Sequence, residues 1–335
     1  MPLGELSILN HVTLTEAVNE FKYGPQTALV DFYCPGPAAK TDGGDSFEYD
    51  ILKADRGLAA PKSPDTPTKP VALTAVGYKR GRCIHVGEHK KISGDTLANL
   101  RKPGTREKNA QERVSHELRS LNRRGARLRN WGVGQMLTGT LAIDEDDVKV
   151  SVDYEIPAAN TTAAGATWAT VGTDIPAHLD GWIEGVEQES GYTPLHVRCS
   201  RTVMRYLMAN TKVKDFLGSS DYKAQVGKLG YIRDFHGLVW HVDNTGYKPN
   251  GGSFTRYVNE SYISMTPEPD GEWCGLIEGS TEILPLGGTD LVEVFGRHGW
   301  VELKSNPAGY ILCAGDTFIP ALKIPAAVVY TQVVL

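Results

Sequence analysis

His85, Glu88 and His89 are spaced H-x-x-E-H, an arrangement that would suit a metal-dependent hydrolase. On a helix, residues four apart share a face, so two imidazoles could hold zinc with the glutamate beside them. The chemistry therefore needs a helix. The stretch Cys83-Ile84-His85-Val86 reads instead as a strand, and Gly87 falls inside the motif. No later glutamate in a helical context offers a third ligand. The expected conformation is a strand with two exposed histidines. A zinc metallopeptidase is the weakest of the functional readings.

Other chemistry-bearing patterns are weaker still. Asp144-Glu145-Asp146-Asp147 is acidic, but it lacks the spaced ligands and turn glycine of a calcium loop. It reads as a solvated turn. There is no phosphate-binding G-x-x-x-x-G-K-[ST] and no G-x-S-x-G nucleophile elbow. Gly287-Gly288 signals a turn. Cys34 precedes Pro35-Gly36 with no base nearby in sequence and reads as a structural thiol. The five cysteines are widely spaced, odd in number and without a CxxC pair, so a disulfide framework is not expected. Buried thiols in a reducing compartment fit better. No cofactor, metal or enzymatic activity is expected.

The elements around these residues follow from periodicity. Residues 14–21 place Leu14, Ala17, Val18 and Phe21 on one helical face, ended by Gly24-Pro25. Residues 46–53, 71–76 and 81–86 predict extended pieces between loops rich in Pro, Gly, Asp and Lys. The arm 47–92 has too little apolar content to fold alone, and is expected to be ordered by packing on a neighbouring copy.

Residues 105–131 predict the longest helix, about 40 Å, with Thr105 as N-cap. Val114, Leu118, Leu121, Leu128 and Trp131 form its apolar stripe. Arg106, Lys108, Arg113, Arg119, Arg123, Arg124, Arg127 and Arg129 occupy the other faces. Gly125, Gly132 and Gly134 predict a bend or an early end. Further on, residues 139–154 predict a hairpin and 175–189 a helix. Residues 194–199 predict a strand, followed by a helix capped by Ser200 and running to Asn210. A strand–turn–strand is centred on His236-Gly237, with strands at 262–266 and 272–277 and a terminal strand within 322–334.

Composition is that of a globular chain, 41% hydrophobic and 22% charged over 335 residues. The first 21 residues hold no Lys or Arg, so no basic-headed signal peptide is expected. No run of 18 apolar residues occurs, so no membrane span is expected. Charge is uneven. Residues 101–130 hold ten Lys/Arg against three Glu, while residues 131–335 hold 14 Lys/Arg against 25 Asp/Glu. Opposite-sign surfaces of this kind suit an assembly. The arginines are not interleaved with aromatic residues, so any nucleic-acid contact would be to phosphate and weak.

The order of these pieces resembles one family, the major capsid proteins of phage lambda protein E type, within the Hong Kong 97-type fold. LTEAVNEFKYGP resembles its N-terminal helix and arm. CIHVGEHKKI resembles the end of its extended loop, and the run from Ser93 to Leu100 leads into its long spine helix. VKVSVDY followed by Trp168 is similar to its hairpin. Asp174-Ile175-Pro176 matches the start of its axial domain, and IPAAVVYTQVVL the strand that closes its peripheral domain.

The resemblance implies an α+β fold. Its parts would be an N-terminal arm at 1–46, an extended β-hairpin loop at 47–92, and a peripheral domain at 93–168 with spine helix 105–137. An axial domain at 169–300 and return strands at 301–335 would follow. It implies a virion subunit, assembled in the host cytoplasm, that forms hexamers and pentamers and then an icosahedral shell around double-stranded DNA. Separate scaffolding, portal and decoration proteins are implied as partners, and no membrane. Relatives that crosslink use a loop lysine and an asparagine, but Lys53, Lys62, Lys69 and Asn306 do not align to that role. Arg113, Arg123, Arg127, Trp131, Lys62 and Lys69 are the candidate interface residues. An encapsulin-like shell of a bacterial compartment is the alternative.

Charge reversal at Arg123 and Arg127 is expected to disturb assembly more than subunit folding. Paired particle-yield and thermal-melting measurements check this, and normal shells at normal yield would refute it.

Overall fold

The structure is a computed structural model that describes residues 10–20, 28–52, 77–93, 106–145, 148–249, 252–286, 288–304 and 309–335. Helices α1 (His11–Glu20) and α2 (Ala28–Tyr33) precede strands β1 (Ala39–Lys40), β2 (Ser46–Ile51), β3 (Gly77–Arg82) and β4 (Ile84–Ser93). Helix α3 (Arg106–Thr138) leads into a hairpin of β5 (Thr140–Glu145) and β6 (Val148–Asp153). The short α4 (Ala158–Thr161) and α5 (Ile175–Ser190) come next, then β7 (His196–Cys199), α6 (Arg201–Ala209) and α7 (Thr211–Leu229). Strands β8 (Asp234–Phe235), β9 (Leu238–Val242), β10 (Gly246–Tyr247), β11 (Thr255–Arg256) and β12 (Tyr262–Thr266) follow. The chain ends with β13 (Cys274–Glu278), β14 (Ser280–Ile283), β15 (Val292–Phe295), β16 (His298–Lys304), β17 (Gly309–Leu322) and β18 (Val329–Gln332).

Two five-stranded sheets organise the fold. The first is built on β17, which pairs antiparallel with β4 on one side and with β16 and then β13 on the other. β1 adds to β13 in parallel. The second has the order β18-β12-β7-β9-β8. Residues Leu312 to Leu322 of β17 are all buried, because the strand is covered on both faces. That removes the alternation by which a half-buried strand is read from sequence, and β17 has no counterpart among the strands predicted from periodicity, only within the return strands that the resemblance implies at 301–335.

Helix α3 lies across one face of β17. Its first half follows the predicted stripe, with Val114, Leu118 and Leu121 buried against Leu312 and Ala314. The buried face then moves to Ala126, Val133, Met136 and Leu137, leaving Leu128 and Trp131 half-buried. The helix passes through its glycines without ending, to a length of about 50 Å. A Cβ on Gly132 would lie 3.2 Å from the Phe318 ring, and one on Gly134 would lie 3.2 Å from the Tyr257 carbonyl. These glycines serve close approach to the sheet and its flanking segment, which offsets their cost in helix propensity.

Arg129 belongs to that second buried face and not to the solvent. Its guanidinium holds Asp316 of β17 in a two-point contact, Nε to Oδ2 at 2.6 Å and a terminal nitrogen to Oδ1 at 2.5 Å. A third hydrogen bond reaches Glu278 of β13 at 2.8 Å. Burial works against the charge on Arg129, but the two carboxylates outweigh it and hold its pKa above the usual value. The guanidinium also stands over the Phe318 ring, 5.3 Å from its centre.

The ends of the arm 47–92 pack on their own chain. Phe47, Tyr49 and Ile51 turn alternately into the core, and β4 is a full member of the first sheet. Three apolar residues at period two suffice to seat a hairpin base on an existing core. The expected pieces at 71–76, the N-cap Thr105 and residues Lys53, Lys62, Lys69 and Asn306 lie outside the described residues. Among the return strands expected at 301–335, β17 lies in the first sheet, but β18 pairs with β12 in the second.

Helix α7 was not expected from the sequence. Gly218, in a left-handed conformation at φ 71°, kinks it and interrupts its apolar spacing. Val213, Leu217, Tyr222 and Val226 nevertheless pack on the second core. By contrast the Ser200 cap is present, its side chain accepting the Val203 N–H at 3.1 Å. His236 and Gly237 both take positive φ in the tight turn between β8 and β9.

Arg129→Met would leave the Asp316 carboxylate, 4% exposed, with the more distant Arg297 at 3.8 Å as its nearest cation among the described residues. The expected cost is about 3 kcal/mol of subunit stability, read from the urea unfolding midpoint. A midpoint unchanged from the parent would show that the ion pair does not hold the helix.

Candidate assembly surfaces and the junction between the sheets

The H-x-x-E-H residues lie along β4, in an extended chain. His85 and His89 share the exposed face, and Glu88 points to the other, where its Oε2 accepts from Arg124 Nε of α3 at 2.8 Å. Residues four apart in a strand are separated by about 13 Å, too far to share one zinc ion. Two places along, Lys90 Nζ donates to Glu117 at 2.7 Å and to Ser120 at 2.9 Å on α3. His85 Nδ1 meets Thr317 Oγ1 at 2.9 Å across the sheet. The motif therefore fastens a strand to a helix. Among the described residues no group of three His, Cys, Asp or Glu side chains could hold a metal.

The basic residues of α3 divide into two sets. Arg124 and Arg129 are spent within the subunit. Arg113 and Arg123 are exposed, while Arg127 and Trp131 are half-buried. Arg127 stands near Tyr257, whose hydroxyl burial pushes up to about 12. A different surface sits at the β14–β15 hairpin, where Glu282, Asp290 and Glu293 are exposed beside Leu284 and Leu291, 52% and 61% exposed. Leu303 on β16 and Phe216 on α7 are further large apolar residues left open. The sequence reading identified the basic helix and missed the hairpin.

Helix α2 is wedged between the two sheets. Its first N–H groups are received by a buried side chain, Asn130 Oδ1 accepting from Leu29 and Val30 at 3.1 Å each. Its Phe32 ring stands edge-on to His196 and His241 of the second sheet, at 5.0 and 5.2 Å. Arg198 of β7 lies over Phe32 at 4.5 Å and over Tyr33 at 5.1 Å, and pairs with Asp243 at 3.3 Å. His196 Nε2 meets Glu268 at 2.6 Å, and its Nδ1 meets His241 Nε2 at 3.1 Å.

One face of the second sheet thus packs Val197, Cys199 and Trp240 on α5, α6 and α7. The opposite face presents titratable and aromatic groups to α2. Period two along β7 and β9 dictates this split. The sequence signal for it was His196-Val197-Arg198-Cys199 on a strand, an alternation whose polar side needed a partner.

A sequence profile described as phage major capsid protein E matches residues 10–278. The chain belongs to the phage major capsid protein E family. No protein of curated function matches its sequence. Two solved structures are similar over nearly all of both chains. One is a prophage protein of E. coli CFT073 described as a capsid protein, at TM-score 0.62 and 14% identity, covering 97% of this chain and 99% of that one. The other is a phage-related protein of Bordetella bronchiseptica RB50, at TM-score 0.58 and 14% identity, covering 97% of each. The capsid protein E chain has the Hong Kong 97-type fold and is a shell subunit of the virion, a structural role.

The junction gives the capsid subunit a pH dependence. Burial, helped by Arg198, His196 and Arg233, lowers His241 from 6.5 to about 4, with Asp243 opposing. The unfolded chain then binds a proton below about 6.5 that the folded chain refuses until about 4. Stability contributed by neutral His241 is full above that window and is lost as pH falls through it. His298, also lowered by burial, acts in the same direction. Melting temperatures of the unassembled subunit are expected to fall between about pH 6.5 and 4, and His241→Gln is expected to flatten the slope. An identical slope in the variant would rule out His241 as its source.

Proposed function

We propose that copies of this chain associate as hexamers and pentamers and close an icosahedral shell around double-stranded DNA. The observation that carries this reading is the match of residues 10–278 to a family of shell subunits. In this reading the first sheet with α3 forms a peripheral domain, and the second sheet with α5, α6 and α7 an axial domain. The arm at 47–92 extends over a neighbour from its seated base. The exposed arginines Arg113 and Arg123 face acidic surface on other copies or, where they face inward, phosphate by weak non-specific contact. Each contact is modest, and the closed shell is held because every subunit makes many at once.

Scaffolding, portal and decoration proteins would be separate chains, and assembly would take place in the host cytoplasm. An encapsulin-like compartment shares the shell geometry and differs in its cargo.

Size-exclusion chromatography with negative-stain microscopy of the expressed chain is expected to show rings, closed shells or large polymers. Nuclease-protected DNA in particles from infected cells would separate a phage head from a protein-filled compartment. A discrete monomer at every concentration tested would end the proposal.

A further inference from the structure

Cys34 follows the last residue of α2, and Cys274 opens β13. Cys274 is fully buried, and its Sγ donates a hydrogen bond to the Tyr33 carbonyl oxygen at 2.9 Å. A carbonyl oxygen lies about 2.8 Å from the next residue's Cα by covalent dimensions alone. The Cys274 sulfur is therefore within about 6 Å of the Cys34 Cα. Both side chains belong to one apolar core, with Cys34 half-exposed at its rim. In a disulfide a sulfur lies no more than about 5 Å from its partner's Cα, the Cα-to-sulfur reach of one cysteine plus an S–S bond of about 2.05 Å, so closing this pair asks for a rotamer change and a small approach. Cys199 and Cys313 are buried on other strands, and Cys83 is buried between β3 and β4.

We infer that Cys34 and Cys274 are a thiol pair that closes to a disulfide once the protein leaves a reducing compartment, pinning α2 to the first sheet. The oxidant is a small-molecule disulfide such as oxidised glutathione. The Cys34 thiolate attacks one of its sulfurs, forming a mixed disulfide and releasing one glutathione thiolate. Cys274 then loses its proton to solvent and attacks the Cys34 sulfur. The Cys34–Cys274 bond forms, the mixed disulfide breaks, and the second glutathione leaves. Two protein thiols and one small disulfide become one protein disulfide and two small thiols.

Burial pushes the Cys274 thiol well above its ordinary range, with Cys34 adding to the shift. The second step therefore speeds up as pH rises. The bond would fix the far end of a helix whose near end is already held by Asn130. It does not depend on the shell assignment, since the pair lies within one subunit.

The full chain is incubated with oxidised glutathione, then denatured for thiol titration and mapped as peptides without reductant. The five free thiols are expected to fall to three, with one linked peptide pair joining Cys34 to Cys274. Cys274→Ser is expected to keep a stable glutathione adduct on Cys34, and Cys34→Ser to keep all its remaining thiols free. The melting temperature of the oxidised parent should rise by several degrees and return with reductant, with no such change in Cys34→Ser. Five thiols persisting in the parent would overturn the inference, as would a linkage between other cysteines.

Discussion

A long basic helix cannot lie on an apolar sheet unless the charge that turns inward is neutralised, and the pairing of Arg129 with Asp316 and Glu278 does this. The two carboxylates sit on neighbouring strands, β17 and β13, so one guanidinium ties α3 to both. Buried ion pairs return little net stability, because desolvation offsets most of the attraction. Their effect here is on position. Apolar packing, such as that of Leu118 in the cluster with Leu312 and Ala314, tolerates a shift along the helix, whereas a two-point guanidinium–carboxylate contact does not. The close approach at Gly132 and Gly134 depends on that register, and so do the ion pairs of Glu88 and Lys90 along β4.

The second sheet is coupled to this frame through a short helix. α2 contributes Leu29, Val30 and Tyr33 to the first core and turns Phe32 toward the polar face of the other sheet. Arg198 stacked on Phe32 and Tyr33, together with the His196–Glu268 and Arg198–Asp243 pairs, fills a space where apolar packing would otherwise be needed. A junction built from charge and aromatic edges is directional, and the burial of neutral His241 in it makes subunit stability depend on pH.

For a capsid protein E subunit, this division of labour has a clear use. Arg129 and Arg124 are committed inside the molecule, while Arg113 and Arg123 are exposed on α3. The β14–β15 hairpin carries exposed acids and leucines elsewhere on the surface. A monomer with open apolar residues such as Leu284, Leu291 and Leu303 has surface suited to contact with other copies.

Local pattern determined much of this protein. The helices at α1, α5 and α6, the Ser200 cap, the β5–β6 hairpin and the His236-Gly237 turn were all legible, because short-range spacing and turn chemistry fix them. So was the strand conformation of the H-x-x-E-H residues, since neither their neighbours nor Gly87 favoured a helix. The tertiary structure decided the rest. β17 carries no alternation because both of its faces are covered. α7 carries little helical signal because Gly218 breaks its phase. Arg129 reads as a solvent residue unless the helical spacing is followed on from Leu118 through Asn122, Ala126 and Val133 to Met136. Its carboxylate partners lie 149 and 187 residues away in sequence. Local pattern fixes which way a side chain can point, but only the folded chain brings together the distant groups that make pointing there favourable.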